Sequence, residues 1–170
     1  MKKTMFFSML FLASVAFSAE LEGFYKTVDE KTGKAKSIVR LYQCGSDLCG
    51  RIIALYNEKG DAVEETLSAP ARVAEEVKGK PKMTGLDIVW NMKWDSKDKE
   101  YSGGKILDPK SGSVYSCVIW QDKKDANTLL VKGKIGPIGR TQKWQVMSEN
   151  GLPADLKNLD VSKWTPKIIK

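Results

Sequence analysis

The sequence predicts an all-β protein, an eight-stranded antiparallel up-and-down barrel, on three observations. Short runs of alternating apolar and polar residues recur along the chain, compact turn signals separate them, and a helical pattern is confined to one connection. The candidate strands are 22–28, 35–43, 48–56, 86–94, 100–107, 113–121, 128–134 and 139–147. Strands joined mostly by short turns form a meander, and closing the meander removes its exposed edges.

Each element has its own justification. Asp29 to Gly33 separates the first two strands, and Gly45-Ser46-Asp47 the next two. Asp108 to Gly112 and Asp122 to Asn127 supply later turns. Leu86, Ile88, Trp90, Met92 and Trp94 are expected on one face, opposite Asp87, Asn91, Lys93 and Asp95. Leu129, Val131 and Gly133 oppose Lys132 and Lys134, while Arg140, Gln142, Trp144 and Val146 oppose Thr141, Lys143, Gln145 and Met147. Such period-two patterning implies one wet face and one buried face. Residues 57–83 break the rhythm, and Ser68, Pro70 and the run Ala71 to Val77 predict a short capped helix there. The tail 150–170 carries Leu152, Leu156, Leu159, Val161 and Trp164, and is expected to pack outside the barrel.

The cysteines point to one bond. With Ser46-Asp47 as a two-residue turn, Cys44 faces Cys49, Leu41 faces Ile52, and Val39 faces Ala54. A directly opposed pair comes within disulfide range. The spacing is not Cys-x-x-Cys and no histidine stands by, so the bond reads as structural rather than redox-active. Cys117 is left as a buried free thiol.

The N-terminus has the three parts of a secretory signal. Lys2 and Lys3 precede an apolar stretch from Met5 to Phe17, and Ala16-Phe17-Ser18 places small residues for cleavage after Ser18. The expected organisation is therefore a signal peptide over 1–18 and a single domain over 19–170, periplasmic or secreted. No later stretch predicts a membrane span. Without Lys2 and Lys3 the net charge falls from +7 to +5, and the lysines are interspersed with acids, which argues against a nucleic-acid surface. The absence of histidine removes the commonest general base and zinc ligand, and no phosphate loop, metal cluster or nucleophile–base pair is present. Asp95 to Glu100 reads as a polar turn, not a calcium loop. No enzyme, metal or cofactor is expected.

Three stretches together resemble a known family. They are Leu41 to Gly45 with Leu48 to Ile52, then Gly103 to Pro109 with Gly112 and Tyr115, then Leu129 to Gly133 with Gly139 to Trp144. In this order they are similar to a family of small exported bacterial proteins, a domain of unknown function with a lipocalin-like barrel. The resemblance implies a calycin-type barrel and a hydrophobic ligand, and it brings no catalytic residue. Gly23-Phe24-Tyr25 is similar to the Gly-x-Trp that opens lipocalin barrels, with Tyr25 in place of tryptophan. The resemblance also implies a basic residue packed across that aromatic at the closed end, with Arg140 as the candidate. An inward face of Leu41, Ile52, Trp90, Trp94, Leu129 and Trp144, with polar Gln43, Arg140 and Gln142, would suit a small amphipathic molecule such as a fatty acid. The alternative is an envelope protein-binding module, inhibitor or assembly factor, with a packed barrel and no small-molecule ligand.

Overall fold

The computed structural model describes residues 21–169. The expected signal peptide, 1–18, lies outside the described residues. The strands are β1 (Gly23–Val28), β2 (Ala35–Cys44), β3 (Asp47–Tyr56), β4 (Val63–Thr66), β5 (Asp87–Asp95), β6 (Glu100–Leu107), β7 (Val114–Gln121), β8 (Thr128–Ile135) and β9 (Ile138–Met147). All eight expected strands are present. The sheet runs β2-β1-β9-β8-β7-β6-β5-β3-β4, and the additional β2–β3 pairing closes it. The result is an eight-stranded antiparallel barrel with the short β4 hung outside on β3.

The turns follow from acidic side chains that bond to the backbone ahead of them. Asp29 Oδ1 accepts the amides of Lys31 and Thr32, and Asp95, Asp108 and Asp122 each accept the amide two residues on. One rim, here the upper, carries the β1–β2, β6–β7 and β8–β9 turns and the long 57–86 connection. The lower rim carries the entry to β1 and the β2–β3, β5–β6 and β7–β8 turns. Tyr25 donates to the Leu21 carbonyl at 2.9 Å, which draws Leu21 over the lower end, where it is buried.

Three expectations need correction. The 57–83 connection contains no α-helix. Glu65 on β4 instead accepts the amides of Ala71 and Arg72, both at 2.9 Å, taking donors that a first helical turn would leave free. The chain then reverses through Gly79 and Lys80, both at positive φ, so that Val73 pairs with Lys82. Val77 and Ala74 are buried all the same.

The β2–β3 register differs as well. Gly45, at φ +74°, and Ser46 form the turn, and Cys44 faces Asp47, Leu41 faces Gly50 and Val39 faces Ile52. A glycine first in a two-residue hairpin loop favours this turn. Cys44 and Cys49 therefore sit diagonally on the outer face, with Cα atoms 5.8 Å apart, and they are disulfide-bonded. Cys117 is the free cysteine among the described residues, and it is buried.

The third correction concerns β5. Against β3 it spends three residues where β3 spends two, and two where β3 spends one, with Asn91 at φ +56°. Each extra residue turns the following side chain to the other face. Val89 and Met92, opposite Gly50 and Leu48, point inward, whereas Trp90 lies outside, opposite Lys105. The irregular strand leaves no room beneath it, since a Cβ on Gly104 would lie 2.4 Å from both the Met92 sulfur and the Trp90 carbonyl oxygen.

The tail packs outside the barrel, as expected. It runs through single turns at Glu149–Gly151, Ala154–Leu156 and Val161–Lys163. Leu152 and Leu156 bury against Ile38, Ile53 and Ala54 on the outer face of β2 and β3.

Candidate functional site

The barrel interior is the first candidate. Leu41, Ile52, Leu129 and Trp144 belong to one buried cluster, with Trp94 packed against it. Leu129 and Trp144 are direct partners across β8 and β9. Trp94 is half-buried and tilts against Tyr101, with ring centroids 5.2 Å apart. The belly is closely filled: Leu41, Met92, Ile119 and Leu129 are all 0% exposed.

Toward the upper rim the inner wall opens. Gly133 faces Cys117 on one side and Arg140 on the other, and a Cβ on it would touch Tyr115 and Ile106. Ile106, Tyr115 and Gln142 are each half-buried on this wall. Gln142 takes the indole N–H of Trp144 at 3.2 Å, so the amide is fixed above the tryptophan. Beside it Thr27 and Ser37 share a hydroxyl–hydroxyl bond of 2.7 Å. The upper inner wall thus brings one aliphatic, one phenol and one amide, each half-buried, above the buried Trp144 indole.

The remaining expected site residues stand elsewhere. Gln43 is exposed at the lower rim beside the β2–β3 turn. Trp90, on the outer wall, borders an open cleft of about 420 Å³ with Asn91, Val114, Ile168 and Ile169. Arg140 lies at the upper rim, its side chain 63% exposed, and pairs with Glu30 of the β1–β2 turn at 2.5 Å. That ion pair raises its pKa. Arg140 therefore does not pack across Tyr25. The cation by the opening motif is Arg40, whose guanidinium lies 4.7 Å from the Phe24 ring centroid. Burial lifts the Tyr25 phenol to about 12.

A second constellation lies outside the barrel and was not foreseen. Asp87, 0% exposed, sits opposite Arg51 across β5 and β3. Arg51 Nη2 donates to Asp87 Oδ2 at 2.7 Å and to the Thr165 carbonyl at 2.7 Å. Tyr42 Oη donates to Asp87 Oδ1 at 2.7 Å, and the Lys167 amide to Oδ2 at 2.6 Å. Trp164 closes the site, edge-on to Tyr42 at 5.0 Å and 4.4 Å beneath the Arg51 guanidinium. Burial, then the bond to Asp87, pushes the Tyr42 pKa well up. Both carboxylate oxygens of Asp87 are engaged by protein, so the arrangement is a strap holding the tail rather than a catalytic centre. By alternation alone Asp87 belongs to a wet face, and only the apolar content of the tail signals that this face is covered. Among the described residues no cluster of three or more metal-ligating side chains is present, and no helix is long and apolar enough to cross a membrane.

Comparison with known proteins supports the architecture. Residues 23–146 match the family described as "Uncharacterized protein conserved in bacteria (DUF2147)". No curated protein matches the chain. A solved structure, that of protein HP1028 from Helicobacter pylori, described as belonging to the lipocalin family, is similar with a TM-score of 0.58 and 19% identity. The likeness covers 77% of this chain and 85% of that one. At such identity it carries the fold.

Proposed function

The chain belongs to this DUF2147 family of bacterial proteins, and from that premise we propose that it is an exported lipocalin-like binding protein that takes one small hydrophobic or amphipathic molecule at its upper mouth. The observation that carries this reading is the half-burial of Ile106, Tyr115 and Gln142 on the inner wall above Trp144, where the residues below them are buried. An alkyl chain would lie on Ile106 and Tyr115, each buried methylene contributing about 0.8 kcal/mol. The polar end would face the rim, where Arg140 and Glu30 stand. Export is supported by the signal-like pattern of residues 1–18 and by the Cys44–Cys49 bond, which an oxidising compartment maintains. N-terminal sequencing of the native protein should begin at Ala19.

The test of binding is titration of folded, ligand-free protein with fatty acids, followed by tryptophan fluorescence. Saturable quenching is expected, weakened about tenfold by Tyr115→Ala. Absence of saturable binding overturns the reading. The filled belly favours a second one, an envelope protein-binding module with no small-molecule ligand, and that outcome would select it.

A further inference from the structure

We infer that the tip of the β8–β9 hairpin docks on the surface of an anionic lipid bilayer. The tip carries the inward-facing row of Gly133 and Arg140 past the rim, where the barrel no longer covers it, and the inference needs no ligand in the mouth. The tip is Ile135-Gly136-Pro137-Ile138, with Ile135 and Ile138 directly paired across the turn. Ile135 is 61% exposed and Ile138 78%, more than any other large apolar residue described. A third exposed apolar residue, Val114 at 45%, belongs to the same rim. Two adjacent isoleucines at a hairpin tip do nothing for the barrel, since neither is covered by it.

The chemistry around the tip selects the partner. Residues 128–147 contain Lys132, Lys134, Arg140 and Lys143 and not one acidic residue. Lys134 stands in an outward row with Ser116 and Lys105, and the Lys132 side chain lies alongside Gly139 next to it. Arg140 is engaged by Glu30, and Lys143 lies toward Asp125. Lys132 and Lys134 have no ion-pair partner among the described residues. An apolar tip backed by two ammonium groups on the outward face of its hairpin matches a surface with an apolar layer beneath anionic headgroups. A second copy of this chain would bring the same lysines into opposition, so charge disfavours self-association through the tip.

The experiment uses protein isolated from the cells that make it. Its binding is measured by flotation with vesicles of phosphatidylcholine alone, or of equal parts phosphatidylcholine and phosphatidylglycerol. Wild type should float with the anionic vesicles, and added salt should weaken the binding. Ile135→Ser/Ile138→Ser should lose affinity by at least about tenfold, as should Lys132→Gln/Lys134→Gln. All three proteins share the apolar N-terminal stretch if any retain it, so the difference belongs to the hairpin. The substituted side chains are exposed, and an unchanged thermal melt verifies folding; Ile138→Ser alone serves should the double variant melt early. Fatty-acid titration in vesicle-free buffer should be the same in the tip variant, which separates this inference from the mouth reading. Failure of wild type to bind anionic vesicles overturns it. So does undiminished binding by the tip variant, or a dimer of the wild type that the tip variant abolishes.

Discussion

Asp87 and Arg51 carry a large single-residue consequence. Their pair is buried, and each partner also binds the tail through Thr165 and Lys167. Removing one charge strands the other, so Asp87→Ala should cost about 3–5 kcal/mol in urea unfolding, whereas replacing both residues by apolar ones of similar volume should cost far less. Cys117 gives a second prediction. Burial lifts its thiol to about 12, so it should resist alkylation at pH 8 in folded protein and react once urea unfolds the chain. A folded pKa above the unfolded value means that the neutral thiol favours the folded state. That contribution is complete below the unfolded thiol pKa of about 8.5 and erodes as the pH rises toward 12. A stability-pH profile of wild type against Cys117→Ala reads it directly. Among the ligand-face residues, Leu129 and Trp144 were legible because β8 and β9 alternate without interruption. Trp90 was not, because a bulge leaves no mark in composition: Asn91 at positive φ looks like any polar residue in a strand. Arg140 has the inward register expected of it, but it stands too near the hairpin tip to be enclosed.

At the scale of elements, strand boundaries were legible and the connection between β3 and β5 was not. Pro70 after Ser68 resembles a helix start, yet the decision lies with Glu65, whose carboxylate reaches the amides of Ala71 and Arg72 and the Arg72 guanidinium. A long-range competitor of that kind has no local signature. Burial pushes the Glu65 pKa up, but these donors hold it below the ordinary glutamate value. Its contribution is therefore present above about pH 4.3 and lost as the pH falls through the lower folded value. Glu65→Gln should cost about 1–3 kcal/mol at neutral pH and flatten the acid limb of the stability profile, measured by thermal melts between pH 2 and 7. The hairpin of β2 and β3 teaches a related point. Both registers place the cysteines within reach of one another, so the disulfide was legible while the pairing was not; Gly45 at φ +74° made the difference. The tail was expected outside, and its apolar residues are there, but nothing in its own sequence named the Arg51–Asp87 pair as its anchor.

For the whole molecule, the strand count and the closed antiparallel order were legible because punctuation and alternation are properties of the chain itself. Which parts of the interior are filled depends on how bulges aim side chains, and that is a property of the assembled barrel. The disulfide closes only a short loop, so its reduction should lower stability by about 2 kcal/mol and leave the barrel folded, as thermal melts with and without dithiothreitol would report. A more global constraint lies in the seam. Phe24 to Thr27 of the first strand pair with Trp144 to Met147 of the last, and Tyr25 and Trp144 are both buried in the core cluster beside that seam. A chain made from its N-terminus can build its hairpins in succession, but it cannot close the cylinder until nearly all of it exists. Loop closure on that scale delays the rewarding contacts to the end of folding. Until then β1 offers a bare edge, already paired with β2 on one side only, to any other strand it meets. The period between synthesis and closure is thus when the chain is most exposed to mispairing, and a helper that shields the first strand would protect it more than one acting anywhere else.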